Sequence, residues 1–202
     1  MSLMLFDRVL ADARNRDDWL TKRVGRIGAS DAAGFAKVES APLYLRAKLH
    51  NRFLGNAFTV HGNGREARML EHFKVQQNTL MFHHPDNERH VATPDGFWRQ
   101  PAGRFDLYLA QCKTSLHAPP RPDRIPLRYQ RQMWWEQYVM GASRTALIWE
   151  QHVDFRPVSM EPTLIWFERN DAAIEVLVEI ANYVLDGFDD AKAFANDMKG
   201  TR

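Results

Sequence analysis

Apolar positions recur at helical spacing near residues 4–14, and a second helix is expected after Ser30, whose hydroxyl suits an N-cap with Asp31 in the first turn. Pro42 opens a third helix, reaching about His50. From His61 to Gln76, Ala67, Leu70 and Phe73 share one helical face, entered through Gly62 and Gly64. The period then changes. Residues 80–84, 89–93 and 105–112 read as short strands, separated by the turn-forming runs Pro85-Asp86-Asn87 and Gln100-Pro101-Ala102-Gly103. A proline-rich loop, His117 to Pro126, leads into a helix from about Leu127 to Met140. Thr145–His152 and Thr163–Phe167 read as strands, and Asp171–Leu185 carries a strongly apolar helical face. Helices before and after a small mixed sheet predict the α/β class. The chain has 202 residues and no repeat or linker that divides it, so one domain, 1–202, is expected.

Composition narrows the class. Apolar residues at 45% and charged residues at 26% are globular proportions. A lone Cys112 forms no internal disulfide and no cysteine-based zinc finger, which points to a reducing compartment. No apolar run approaches the length of a membrane span, and Asp7, Arg8, Asp12 and Arg14 stand where a signal peptide needs an apolar core. A cytoplasmic protein without a membrane partner is expected. Met1-Ser2-Leu3, ahead of a second methionine, reads as a vector scar. The formal charge is only +2, but it is segregated: Lys22–Lys48 and Arg99–Arg131 are basic, and Asp171–Arg202 is acidic. Such a division gives a polyanion one face to bind, although solvated helix charges produce the same pattern.

Candidate chemistry gathers in the middle of the chain. Thr93-Pro94-Asp95-Gly96 ends one strand in a carboxylate-bearing turn, and the next strand presents Gln111 and Lys113 on one face because side chains alternate. A carboxylate, an amide oxygen and an ammonium then converge; a hairpin whose aspartate caps its own backbone gives the same local sequence. Glu66 is expected in the first turn of its helix, where the dipole favours a carboxylate and a metal could bind. Arg23, with the turn Gly25–Gly28 and Ser30, offers a guanidinium, backbone N–H groups and a hydroxyl, which a phosphate or an ordinary capped helix would equally use. Tyr129, Gln132 and Glu136 share a helical face that either lines the core or borders a site. His83, His84 and His90 lack metal-ligand spacing, the Cys112 side chain is expected on the buried face, and Trp134, Trp135, Trp149 and Trp166 are expected in the core.

These pieces occur in one order: R-x-G-x-I-x-A-S-D from Arg23, G-N-x-x-E ending at Glu66, T-P-D-G from Thr93, the lysine Lys113, and Y-x-x-Q from Tyr129 to Gln132. The order resembles the lambda exonuclease and YqaJ-type viral recombinase family of the PD-(D/E)XK nuclease superfamily. It spans about 120 of the 202 residues, from Arg23 to Gly141, with the strands and helix of 145–187 completing the fold. The resemblance implies a PD-(D/E)XK nuclease-like α/β fold, a small mixed central sheet flanked by helices. It further implies an exonuclease that degrades one strand of linear duplex DNA from its ends, 5′ to 3′, with Mg²⁺ or Mn²⁺. Asp95, Gln111, Glu66 and the Cys112 backbone carbonyl would hold the metal, and Lys113 would orient or activate water. Arg23, Ser30 and Thr93 would bind the 5′-phosphate, and Tyr129 and Gln132 would flank the site. A ring-shaped homo-oligomer such as a trimer, a single-strand annealing partner and a phage or prophage origin in the bacterial cytosol are implied as well.

The chain departs from this family at two positions. Gln111 stands where an acidic residue is usual, and Trp134 where a second glutamine often follows. An amide oxygen still suits a hard cation, but the site carries one negative charge less. Asp106 would compensate only in a different strand register. Two alternatives stay open: a catalytically weak DNA-end-binding protein, and a RecB-like nuclease of different polarity.

Overall fold

In the computed structural model, which describes residues 5–50, 57–98 and 106–200, a strand replaces the expected N-terminal helix. In chain order the first elements are β1 (Val9–Asp12), α1 (Arg16–Arg23), α2 (Ala29–Ala32), α3 (Ala41–His50), α4 (Ala57–His72), β2 (Gln76–Gln77), β3 (Leu80–His84) and β4 (Asn87–Ala92). Then come β5 (Gly96–Trp98), β6 (Tyr108–Ser115), α5 (Leu127–Met140), β7 (Arg144–Val153), β8 (Arg156–Pro157), β9 (Thr163–Glu168) and α6 (Asp171–Gly200). Tertiary pairing overrides helical spacing in β1, whose Val9 and Asp12 sit opposite Phe82 and Leu80. α1, expected as loop, buries no residue and so shows no apolar period; the Asn15 side chain caps it by accepting from the Asp18 N–H.

Two other helix starts differ from expectation. Gly28, not Ser30, is the N-cap of α2, and the Asp31 carboxylate accepts the Gly28 N–H at 2.9 Å. α4 begins at Ala57 and runs through Gly62 and Gly64, so Glu66 lies in the helix interior and its position owes nothing to the dipole of the first turn. The short strand β5 carried too few residues to show alternation, and α6 continues well past Leu185. Gln100–Gly103 and the start of the 105–112 segment lie outside the described residues, as does the Met1–Leu3 segment.

A curled, mixed six-stranded sheet has the order β2-β5-β6-β7-β8, with β9 also paired to β7, and a three-stranded sheet has the order β1-β3-β4. β5 is antiparallel to β6, and β6 is parallel to β7 through the crossover helix α5. The fold class is therefore α/β with a mixed sheet flanked by helices. The largest core cluster joins Ile27, Phe35 and Ala92 to Trp135 and Val139 of α5 and Leu177, Ile180 and Val184 of α6. Gly141 ends α5 in the left-handed conformation at φ 73°, and its exposed carbonyls are met by two guanidiniums. Arg8 donates to Val139 O at 2.8 Å, and Arg169 donates to Gln137 O at 2.9 Å. Both fix the helix that borders the site. Trp135 and Trp149 are buried, whereas Trp166 is 38% exposed on the edge strand β9, lying against Trp98 and the Arg144 guanidinium.

Gly96, where β2, β5 and α4 meet, has no room for a side chain: a Cβ there would lie 2.8 Å from Gln76 O and 2.8 Å from Val75 Cγ1. Gly96→Ala is expected to destabilise the protein by about 1 to 3 kcal/mol, read as a lower denaturation midpoint at unchanged m-value.

Candidate active site

Strand β5 begins only at Gly96, so the edge of β6 beyond Ala110 has no neighbour on that side. One step past the Gly96–Ala110 pair, Asp95 faces Gln111. The Asp95 Oδ2 accepts the Cys112 N–H at 2.7 Å and also a hydrogen bond from Gln111 Nε2. Because the N–H and C=O of one strand residue point to the same side, the Cys112 carbonyl opens onto this edge too. The turn carrying Asp95 is held from behind by Asn78, which donates its side-chain N–H to Pro94 O at 2.8 Å and its backbone N–H to Asp95 O at 2.9 Å.

Along β6, Gln111 and Lys113 share a face, as the alternation predicts. The Lys113 ammonium sits 5.4 Å from the Tyr129 ring centroid, and Tyr129 stands edge-on to Trp149. Gln132 donates from Nε2 to Gln111 Oε1 at 2.9 Å and to Glu136 Oε1 at 3.1 Å. Glu66 approaches from α4 and accepts a hydrogen bond from Gln77 Nε2 at 3.2 Å. The structure thus brings Asp95, Gln111, Lys113 and Glu66 to one place, with Tyr129 and Gln132 beside them.

Burial pushes the Glu66 carboxyl up to about 7, Asp95 adds to the rise, and Gln77 and Lys113 oppose it. Burial also raises Asp95, against the pull of Lys113 and the Cys112 N–H. Two carboxyls sharing a desolvated edge with an amide and a main-chain carbonyl form an all-oxygen donor set, and a cation between them would relieve their repulsion. That chemistry fits a hard divalent cation such as Mg²⁺ or Mn²⁺. Among the described residues no three His, Cys, Asp or Glu side chains gather around one point, so the anionic donors are this pair. Gln111 turns its N–H, not its oxygen, toward Asp95. Asp106 is exposed and precedes β6 at the end away from Lys113, so the register excludes it as a substitute acid.

The phosphate-binding set is brought together in part. Arg23 donates to Ser30 Oγ and lies 3.5 Å from Asp31 Oδ2. Ser30 acts there from inside α2, not from a cap position. Thr93 is partly buried on the β4–β5 connection, and among the described residues no hydrogen bond joins it to Arg23 or Ser30. Lys48 joins the cluster unforeseen, 2.8 Å from Asp31 Oδ2 with its side chain 14% exposed; burial pulls its ammonium down. A lysine on a helix reads in sequence as a solvated charge, and only packing shows otherwise.

Partners distant in the chain supply the rest of the site's support. Arg65 clamps α4 to β7 by a bidentate pair with buried Glu150 at 2.9 and 2.7 Å, and His152 donates from Nε2 to the same carboxylate at 2.7 Å. Glu66 follows Arg65 on the same helix, so the clamp holds the turn that carries it. Asn78, which holds the Asp95 turn, carries no signal in the sequence. Glu136 is 1% exposed, and burial, reinforced by Asp95, pushes its carboxyl up to about 8. Cys112 packs toward Met69 and Leu70, and burial pushes its thiol up. His84 stacks on Tyr138, and His90 is buried against Trp135 and held down to about 4 by burial.

No family model matches the sequence, and no curated protein matches it. Solved structures do. An alkaline exonuclease, LHK-Exo, from Laribacter hongkongensis superposes with a TM-score of 0.65 at 20% identity, covering 90% of this chain and 99% of that one. The chain shares this nuclease fold. LHK-Exo in complex with dAMP gives a TM-score of 0.63 at 19% identity, over 90% of this chain and 99% of that one. A phage-related exonuclease from Haemophilus somnus 129PT gives 0.61 at 14% identity, over 84% and 96%.

The raised Glu136 carboxyl has a consequence for stability. The folded protein keeps a proton that the unfolded chain releases above about 4.5 and loses it only near about 8. The contribution is therefore complete below the unfolded value, declines as pH rises, and is gone above the folded one. In EDTA, Tm of the Glu136→Gln variant is expected to fall less than that of the wild type between about pH 5 and about pH 9. Parallel Tm curves would show that Glu136 ionises normally.

Proposed function

We propose that the chain is a divalent-cation-dependent DNA exonuclease that hydrolyses one strand of linear duplex DNA from its ends, 5′ to 3′. The observation that carries this reading is the convergence of Asp95, Gln111, Lys113 and Glu66 on the open edge of β6, in a fold shared with exonucleases. The binding of dAMP by LHK-Exo supports a deoxynucleotide as the ligand class. Asp95, Glu66, the Cys112 carbonyl and the oxygen of Gln111 would hold Mg²⁺ or Mn²⁺. When bound, the cation supplies Lewis acidity at the scissile phosphate and stabilises the leaving oxygen.

The protein's own groups supply the remainder. Lys113, held over Tyr129, positions a water for in-line attack and offsets negative charge as the phosphate becomes pentacovalent. Asp95, fixed by the Cys112 N–H, cannot turn away from the reacting centre. Arg23, Lys48 and Ser30 would receive the terminal 5′-phosphate, with Asp31 limiting their net charge. Thr93 is carried in this role by resemblance alone. The reading extends to a single exonuclease domain, a ring-shaped homo-oligomer on duplex ends, a single-strand annealing partner, and phage-type recombination in the bacterial cytoplasm.

A second reading rests on one specific observation. Gln111 and Asp95 satisfy each other through an N–H donor, an arrangement suited to an end-binding protein with a degenerate site. Linear and covalently closed circular duplex, incubated with Mg²⁺ or with EDTA, separate the two. Mononucleotide release from linear DNA only, abolished by EDTA, is expected. Asp95→Ala and Lys113→Ala should each lower single-turnover cleavage by about 100-fold or more while end binding persists. Cleavage that survives EDTA, or a near-normal rate in either variant, would remove the reading.

Polarity has its own test. A 5′-phosphorylated end is expected to be degraded faster than a 5′-hydroxyl end, and Arg23→Ala should erase that preference, because the guanidinium gains charge-assisted hydrogen bonds only from the phosphate. Equal wild-type rates on the two ends, or digestion from 3′ ends, would leave a nuclease of RecB-like polarity.

A further inference from the structure

Four side chains link α5 to the candidate metal edge through hydrogen bonds that run in one direction. Gln132 Nε2 donates to Glu136 Oε1 at 3.1 Å and to Gln111 Oε1 at 2.9 Å, and Gln111 Nε2 donates to Asp95. Every donor points away from Gln132. Two features of this chain are incomplete. Gln111 shows the carboxylate its N–H, which is the wrong end for a cation, and the buried Glu136 Oε2 has no hydrogen-bond partner.

Reversing both amides turns the Gln111 oxygen to the edge of β6 and gives a protonated Glu136 an acceptor for its O–H, while one Glu136 oxygen stays without a donor in either arrangement. A glutamine amide has nearly the same shape either way round, so the reversal is decided by hydrogen bonding and not by space. In the reversed chain Gln111 Nε2 donates to Gln132 Oε1, and the Gln111 oxygen turns to the edge of β6. Gln132 Oε1 then also faces Glu136, where two acceptors would clash unless the glutamic acid donates its O–H. Burial and the neighbouring Asp95 favour the protonated acid, against Lys113, and these two are the charged groups that act on it. The acid proton, without an acceptor in the present arrangement, gains one in the reversed arrangement. The freed Gln132 nitrogen is at a partly exposed position, where water can accept from it. Without a cation the reversal is opposed, because the Gln111 oxygen would face the Asp95 carboxylate.

We propose that Glu136 is a positioning residue for Gln111: through Gln132 it allows the two amides to reverse together, so that Gln111 presents its oxygen to a divalent cation held at Asp95. This rests on the cation-dependent reading above. Glu136 itself touches neither cation nor DNA. Its role is to supply the hydrogen bond that completes the reversed chain.

The test is a Mg²⁺ titration of the full chain, followed by the side-chain amide NMR signals of Gln111 and Gln132, for wild type, Glu136→Gln and Glu136→Leu. In the wild type both signals are expected to move together with one midpoint. Glu136→Gln, whose amide also donates, should keep that midpoint within about twofold. Glu136→Leu should need about threefold to tenfold more Mg²⁺, the loss of one net hydrogen bond, and its Gln132 signal should no longer follow Gln111. A stationary Gln132 signal in the wild type while Mg²⁺ shifts Gln111 or the Cys112 amide would overturn the proposal and leave the metal site intact. A wild-type midpoint in Glu136→Leu would do the same. If no signal at the site responds to Mg²⁺, the cation-dependent reading fails together with the relay. Should the leucine variant not fold, the joint movement of the two wild-type signals decides.

Discussion

Beyond Ala110 one edge of β6 has no strand beside it, and the Cys112 N–H facing that edge must find an acceptor. Asp95 provides it at 2.7 Å, and much of the site follows from this bond. A side chain that replaces a missing strand has little freedom: its backbone is tied by Asn78, and the next residue, Gly96, is pressed against Gln76 O and Val75. The carboxylate is therefore placed by the main chain on both sides of it. Preorganisation of this kind removes the reorganisation that a free aspartate would need before it could hold a cation.

Fixing a carboxylate in a desolvated corner raises an electrostatic difficulty, and the surrounding elements sharpen it. Glu66 and Glu136 come from different helices, each within electrostatic reach of Asp95, and burial raises all three carboxyls while Lys113 opposes the rise. Such an arrangement persists only if the helices are held by other interactions. Arg65 pairs with Glu150 and ties α4 to β7, and Arg8 and Arg169 hold the end of α5. Four charged groups away from this edge thus hold the helices against the repulsion of the three carboxyls near it. The apolar packing of Trp135 and Val139 against Ile180 and Val184 does the same work on the far side of α5.

The legible parts of the sequence were those whose signal is local. Strand alternation placed Gln111 and Lys113 on one face, and the proline-rich loop ending at Pro126 located the start of α5. The T-P-D-G turn placed Asp95 at a strand junction, as found. What stayed hidden depended on partners distant in the chain. β1 is a strand because β3 lies beside it, and α1 buries nothing that would betray a helix. Glu66 was expected at a helix start because two glycines precede it, yet α4 runs through them. Lys48 reads in sequence as a solvated helix charge, and the face shared by Tyr129, Gln132 and Glu136 reads equally as core or site border; the burial of both residues is a property of the assembled core, as is the orphaned oxygen of Glu136.

Gln111 shows how one substitution shifts the balance between an empty and a loaded edge. A carboxylate at that position would bind a hard cation more strongly, since it adds a full negative charge at nearly the same reach. It would also face Asp95 Oδ2 directly, with the Cys112 N–H left to stabilise both, in a corner where Asp95 and Glu66 already resist ionisation. The amide removes that charge and donates a hydrogen bond to the existing carboxylate, so the edge is satisfied without a cation. On the cation-dependent reading proposed above, affinity would be weakened in the same step, because the amide would have to reverse before its oxygen could serve. An acid on the strand would need no such movement. The neutral residue therefore ties the edge of β6 to α5: Gln111 Oε1 accepts from Gln132, which also donates to Glu136, so under the proposed relay the direction of the Gln132 amide would set which end of Gln111 that edge receives.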